Sequence, residues 1–233
     1  YSNTGFGTQT AGASAAGRPT NGSSGDTNAC FEYDGSSWTS VNAANTAGRT
    51  RQSFGIQTAA AMVGGFAQAT STYLNATEEY DGTNWTTVTA MPSNRASANC
   101  FGAQTTGIVC GGNLAPGVLS TALAYDGTNW TTSPSLNTAK GRSAAGGTGA
   151  TNTAGLIMGG TPYSPAAVAE RWDGTSFSTS ATLSTARYGA GISDGSTNGI
   201  IAGGRTSTAP TAVVEEFNSS ANTFTAAAWA SGG

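Results

Sequence analysis

The sequence has no histidine, a single lysine (Lys140) and only 9% charged residues among 233. Without an imidazole, Ser-His and Cys-His nucleophilic pairs and histidine-based metal sites are excluded. Cysteine is scarce too, and Cys30, Cys100 and Cys110 lack metal-ligand spacing. Cys100 and Cys110 flank a hairpin, where they can face each other as a disulfide or lie buried as free thiols; free thiols are the expectation. No apolar run approaches the length that spans a bilayer, and none repeats at the 3.6-residue helical period. The net charge of −3 argues against nucleic-acid binding by bulk field. Phosphate-loop motifs are absent, so no cofactor, no metal and no membrane insertion are expected.

What is present points to strands. Gly numbers 34, and Thr, Ser, Asn and Ala dominate the remainder, a balance that favours short strands and tight turns over helices. An aromatic-Asp-Gly turn recurs as Tyr33-Asp34-Gly35, Tyr80-Asp81-Gly82, Tyr125-Asp126-Gly127 and Trp172-Asp173-Gly174, with Phe217-Asn218 as a degenerate fifth. The spacings are 47, 45, 47 and 45 residues. A second aromatic follows each turn (Trp38, Trp85, Trp130, Phe177, Phe224). A double glycine recurs at Gly64-Gly65, Gly111-Gly112, Gly159-Gly160 and Gly203-Gly204. Phe-Gly-x-Gln-Thr occurs from Phe54 and Phe101, with a shortened echo from Phe6. Three markers in one phase define an internal repeat. Each copy reads as four short strands; in the third these are Ala96–Ala103, Gly107–Cys110, Ser120–Tyr125 and Trp130–Ser133.

The pattern of an apolar strand ending in Gly-Gly, then Tyr, then Trp, then a basic residue resembles the kelch repeat of galactose-oxidase-type and kelch propellers. The resemblance covers essentially the whole chain. It implies an all-β, five-bladed propeller with four antiparallel strands per blade, as one domain over 1–233. The repeats fall at about 1–45, 46–91, 92–136, 137–183 and 184–233. Phase counting sets Gly233 level with Asn94 and Tyr1 near Arg95, so the ring is expected to close end to end. The copper site of the oxidase relatives needs histidines and cannot carry over.

Six of the nine basic residues precede a first strand: Arg49, Arg51, Arg95, Lys140, Arg142 and Arg187. The resemblance makes the first strand innermost, so these side chains are expected at the mouth of the central channel. Arg95, Arg142 and Arg187 are taken as equivalent positions. Convergent guanidinium groups suit carboxylates, sulfates or sugar acids; the alternative, which is preferred, is hydrogen bonding to carbonyls of neighbouring blades. The acidic residues also keep the repeat phase: Asp34, Asp81, Asp126 and Asp173 in turns, with Glu32, Glu79, Glu170 and Glu216 just before the aromatic. Glycosidase or Ca²⁺ chemistry is conceivable for such pairs, but recurrence at every turn points to capping. The in-phase aromatics are assigned to inter-blade packing, leaving Tyr73, Tyr163, Tyr188 and Trp229 as candidate glycan platforms.

Together these readings predict a non-enzymatic recognition and scaffold propeller. The expected setting is extracellular or on a virion surface, as a phage decoration, fibre or tail protein; the repeat style is similar to kelch-type proteins of bacteriophage and environmental bacteria. The expected partner is a protein within a larger assembly or a surface glycan. A lectin-like module and a kelch adaptor binding an acidic peptide at the arginine-lined mouth are the rival readings.

Overall fold

The computed structural model describes residues 2–19, 25–147, 152–161, 166–192 and 197–227. They form five four-stranded antiparallel sheets arranged as a five-bladed propeller, and no helix occurs among them. Blade 1 comprises Thr4–Gly7, Gly12–Gly17, Thr27–Tyr33 and Trp38–Val41; blade 2 comprises Gln52–Ile56, Ala59–Val63, Thr77–Tyr80 and Trp85–Val88. Blade 3 uses Asn99–Ala103, Thr106–Cys110, Ala122–Tyr125 and Trp130–Ser133. Blade 4 uses Ala144–Gly147, Gly155–Met158, Val168–Trp172 and Phe177–Thr182, and blade 5 uses Gly191–Ile192, Asn198–Ala202, Val214–Asn218 and Thr223–Ala227. Blades 2 and 3 each add a two-stranded hairpin after the double glycine: Phe66–Ala67 with Thr72–Tyr73, and Asn113–Leu114 with Gly117–Val118.

The Asp-Gly turns join the third and fourth strands, as expected. Asp81 Oδ1 accepts the N–H groups of Thr83 and Asn84, and Asp126 Oδ1 those of Thr128 and Asn129. These donors hold both carboxyls below the usual carboxylate range. Asn218 does the same work in the degenerate fifth copy, accepting from Ser220 and Ala221.

Adjacent blades pack through aromatics. The ring of Phe6 meets Tyr80 and Trp85 of blade 2 edge-on, at 6.1 and 6.0 Å. Phe54 and Phe101 fill the same place against blades 3 and 4. Glycine makes this approach possible: a Cβ on Gly107 would lie 2.3 Å from the Phe54 ring. The Phe-Gly-x-Gln-Thr motif thereby has two jobs, because its glutamine reaches backward. Gln57 Nε2 donates to the carbonyls of Gly12 and Tyr33 in blade 1, and Gln104 Nε2 to those of Ala60 and Tyr80 in blade 2.

Strand register settles the cysteines. Cys100 pairs with Val109, and Cys110 with Asn99, so the two side chains lie on opposite faces of the sheet. All three thiols are free and buried. Burial pushes Cys30 up to about 11 and Cys100 up to about 12. At pH 8 the folded protein is expected to react negligibly with an aromatic disulfide reagent, and the unfolded chain to titrate three thiols. One titratable thiol after unfolding would mean a disulfide.

Candidate functional site

The basic residues before each first strand fall into two groups. Arg51, Arg95, Lys140 and Arg187 are fully buried, and each acts as a staple between consecutive blades. The main chain of Arg187 is held by blade 4: its carbonyl accepts from Gly160 N–H and its own N–H donates to Ala166. Its side chain crosses to blade 5, donating to the carbonyls of Gly203 and Val213 and to the Glu215 carboxylate. Lys140 repeats this, with Gly112 N–H on its carbonyl and its ammonium 3.0 Å from Glu170. Arg95 does so with Gly65 behind it and the carbonyls of Gly111 and Thr121 ahead.

This sets the double glycine against the carbonyl of a staple residue rather than against an aromatic ring. A Cβ on Gly64 would lie 2.4 Å from the Arg95 carbonyl oxygen, and one on Gly159 2.4 Å from that of Arg187. The first glycine clears space for that carbonyl, and the second donates to it.

Blade 2 departs from the pattern. Its equivalent position is Gly48, whose carbonyl accepts from Gly17 N–H. The guanidinium comes from Arg51, three residues later, and donates to Gly64 O, Thr46 O and Glu78 Oε1, the last at 2.6 Å. Main-chain and side-chain roles are thus split between two residues.

The carboxylates of these pairs also cap the inter-blade loop. Glu78 accepts the N–H groups of Asn45 and Thr46, and Glu170 those of Asn137 and Thr138. Blade 3 carries Leu123 at this place, and the loop position that would donate is Pro92, which has no N–H. The carboxylate and one of its two donors are missing together, which leaves only the Ser93 amide without that acceptor. Glu32 and Glu79 belong to a different set, accepting the hydroxyls of Tyr80 and Tyr125 on the next blade at 2.9 and 2.8 Å. Glu170 does not share their position, since it sits two residues before its aromatic.

Arg142 is not equivalent to Arg95 and Arg187. It aligns with Ser2, Thr50, Ser97 and Gly189, and all five have positive φ, from 50° at Ser97 to 62° at Gly189. These residues form a chain of hydrogen bonds round the axis: Thr50 N–H to Ser2 O, Ser97 to Thr50, Arg142 to Ser97, and Gly189 to Arg142. The central channel itself, a cavity of about 430 Å³, is lined by all five blades, through Asn3, Thr4, Gln52, Ser53, Asn99 and Ser143 among others. Among the described residues no charged side chain lines it. The expectation that the basic residues reach inward round the mouth is corrected: Arg51, Arg95, Lys140 and Arg187 are spent on carbonyls and carboxylates, as the preferred alternative had it.

Arg49 and Arg142 are brought together instead, in a rim pocket of about 230 Å³ with Phe66, Tyr73, Ala96 and Asn113. The hairpin of blade 2 sets Phe66 edge-on to Tyr73 with centroids 5.2 Å apart, and Arg49 lies over the Phe66 ring at 4.9 Å. Arg49 Nη1 is buried and pairs with Asp26 Oδ1 at 3.9 Å, without a hydrogen bond of its own. Arg142 is exposed.

No protein-family model matches this chain, and no curated protein does. A solved structure does. "Structure of YjhT" superposes with a TM-score of 0.79 at 14% identity, covering 97% of this chain and 84% of that one. At that identity the likeness shows the fold.

Of the aromatic candidates, Tyr73 is in the rim pocket, and Tyr188 is half-buried away from it, its backbone bridged to Arg205. Tyr163 and Trp229 lie outside the described residues. Phe66 and Asn113 escaped the sequence reading because they stand just past a double glycine, where the hairpin is not legible. The staple carboxylates Glu78 and Glu215 did carry a signal: a glutamate two residues before the aromatic in copies 2, 4 and 5.

Proposed function

We propose that this chain is a non-catalytic, kelch-type recognition and scaffold propeller that binds a carboxylate-bearing sugar at the rim pocket between blades 2, 3 and 4. The observation that carries this reading is an exposed guanidinium, Arg142, converging with Arg49, which pairs with Asp26 only at 3.9 Å, beside an aromatic pair. Arg142 and Arg49 supply donors for a carboxylate, while Phe66 and Tyr73 offer apolar edges for a sugar ring. The cavity is below the usual size for drug-like ligands, which favours one ring with its charged group. The negative net charge of the molecule makes recognition local rather than field-driven. An extracellular or virion-surface setting belongs to the same proposal, and detection of the chain in purified virions tests it.

Calorimetric titration with trigalacturonate tests the ligand. Binding is expected for the unmodified chain and a loss of about tenfold or more for Arg49→Ala/Arg142→Ala, equivalent to about 1.4 kcal/mol. Equal binding of the double variant contradicts the pocket. Binding of a pentaglutamate peptide in place of the sugar would favour the adaptor reading.

A further inference from the structure

Among the described residues the five blades share four packed seams, and no packed seam joins blade 5 to blade 1. Hydrophobic clusters join blade 1 to 2, 2 to 3, 3 to 4 and 4 to 5. The chain of hydrogen bonds round the axis stops at the same place: no bond links Ser2 N–H to Gly189 O among those residues, so each is a free end. The expected end-to-end closure is therefore not made by the described residues.

Blade 1 presents to this seam every group that its neighbours use in theirs. Tyr33 and Trp38 are stacked at 5.2 Å like Tyr80 and Trp85, but no Phe covers them. Trp38 is 57% exposed where Trp85 is 7%, and Phe31 is 43% exposed. Asn3, Gly5, Ala13 and Ser14 complete a largely apolar groove of about 500 Å³ with these rings. The Tyr33 hydroxyl lacks the carboxylate that Glu32 gives Tyr80 and Glu79 gives Tyr125. Gln9, the counterpart of Gln57 and Gln104, is exposed and reaches no carbonyl pair. On blade 5, Glu216 occupies the position of Glu32 and Glu79 and is exposed.

We propose that the free face of blade 1 is a docking site for one further blade of this same repeat, seated in the ring between blade 5 and blade 1. The occupant has stated chemistry: an aromatic on its innermost strand over Tyr33 and Trp38, a glutamate for the Tyr33 hydroxyl, and a carbonyl pair for Gln9. It continues an interface already made four times in the molecule. Its own entry residue completes the axial chain, donating to Gly189 O and accepting from Ser2 N–H.

The test fuses a copy of residues 46–91, which carries the Phe54, Gln57 and Glu79 positions, after Gly233, and probes the groove through Ser14→Cys. In the five-blade chain this thiol is expected to label readily with a maleimide, the native cysteines being buried. In the extended chain labelling is expected to slow at least tenfold, with Tm raised by roughly 5 °C or more. Replacing the Phe54 and Glu79 counterparts in the appended copy with alanine is expected to restore fast labelling. Should that fusion fail to fold, a copy of 92–136, with the Phe101 and Gln104 positions, replaces it. Equal labelling with and without a folded sixth repeat overturns the proposal. So does protection of the unextended chain that grows with protein concentration, which would make a second copy the occupant.

Discussion

Glu170→Ala is expected to destabilise the propeller by about 3–5 kcal/mol, the cost of leaving one member of a buried ion pair without its partner. Lys140 would keep only the Val168 carbonyl, 3.3 Å from its ammonium. The amides of Asn137 and Thr138 would lose their acceptor as well. At this chain length the change corresponds to a fall in Tm of roughly 10 °C. Blade 3 shows how the fold dispenses with the carboxylate, through Leu123 and Pro92 together. Glu170→Leu/Asn137→Pro is therefore expected to fold with more stability than Glu170→Leu alone. Thermal melts of the three variants check this, and a single substitution within about 0.5 kcal/mol of the parent would remove the staple from the account.

Trp85→Ala is expected to cost about 3–5 kcal/mol, as truncation of a buried tryptophan does. Its ring is held between Phe6 at 6.0 Å and Tyr80 at 4.8 Å. Trp38 occupies the same position in the repeat and stacks on Tyr33 in the same way, yet lies on the face of blade 1 that no packed seam joins to blade 5 among the described residues. Trp38→Ala is expected to cost under about 1 kcal/mol, in line with exposed substitutions. Urea midpoints decide the pair; equal losses would mean that blade 1 is covered after all.

The architecture was legible because its markers are periodic and each has a local cause. Asp81 and Asp126 cap their own turns within three residues, so the signal sits in a short stretch of chain. Strand ends were less legible: the first strand of blade 3 begins at Asn99 rather than Ala96. Residues 96 and 97 are instead taken up by the bridge to Asn113 and by the axial hydrogen bond to Thr50. Side-chain duty was the hardest to read. Arg95, Lys140 and Arg187 align with Gly48, and only the fold shows Arg51 swinging back into the vacancy. Arg142 sits two residues further on, at a positive φ that turns it outward, and no spacing argument separates it from its neighbours. The rim pocket joins residues 49, 66, 73, 113 and 142, which only the packing of consecutive blades brings near one another.

The basic residues divide their labour: Lys140 and its counterparts hold blades together, and Arg49 and Arg142 form the proposed ligand pocket. A parallel melt and trigalacturonate titration of Lys140→Ala and of Arg49→Ala/Arg142→Ala tests this division most directly. Lys140→Ala is expected to lower Tm by several degrees while binding, measured well below the melt, stays within about twofold. The double variant is expected to keep Tm within about 2 °C and to lose binding. The reverse pattern, with binding lost in Lys140→Ala and stability lost in the rim variant, would contradict the account.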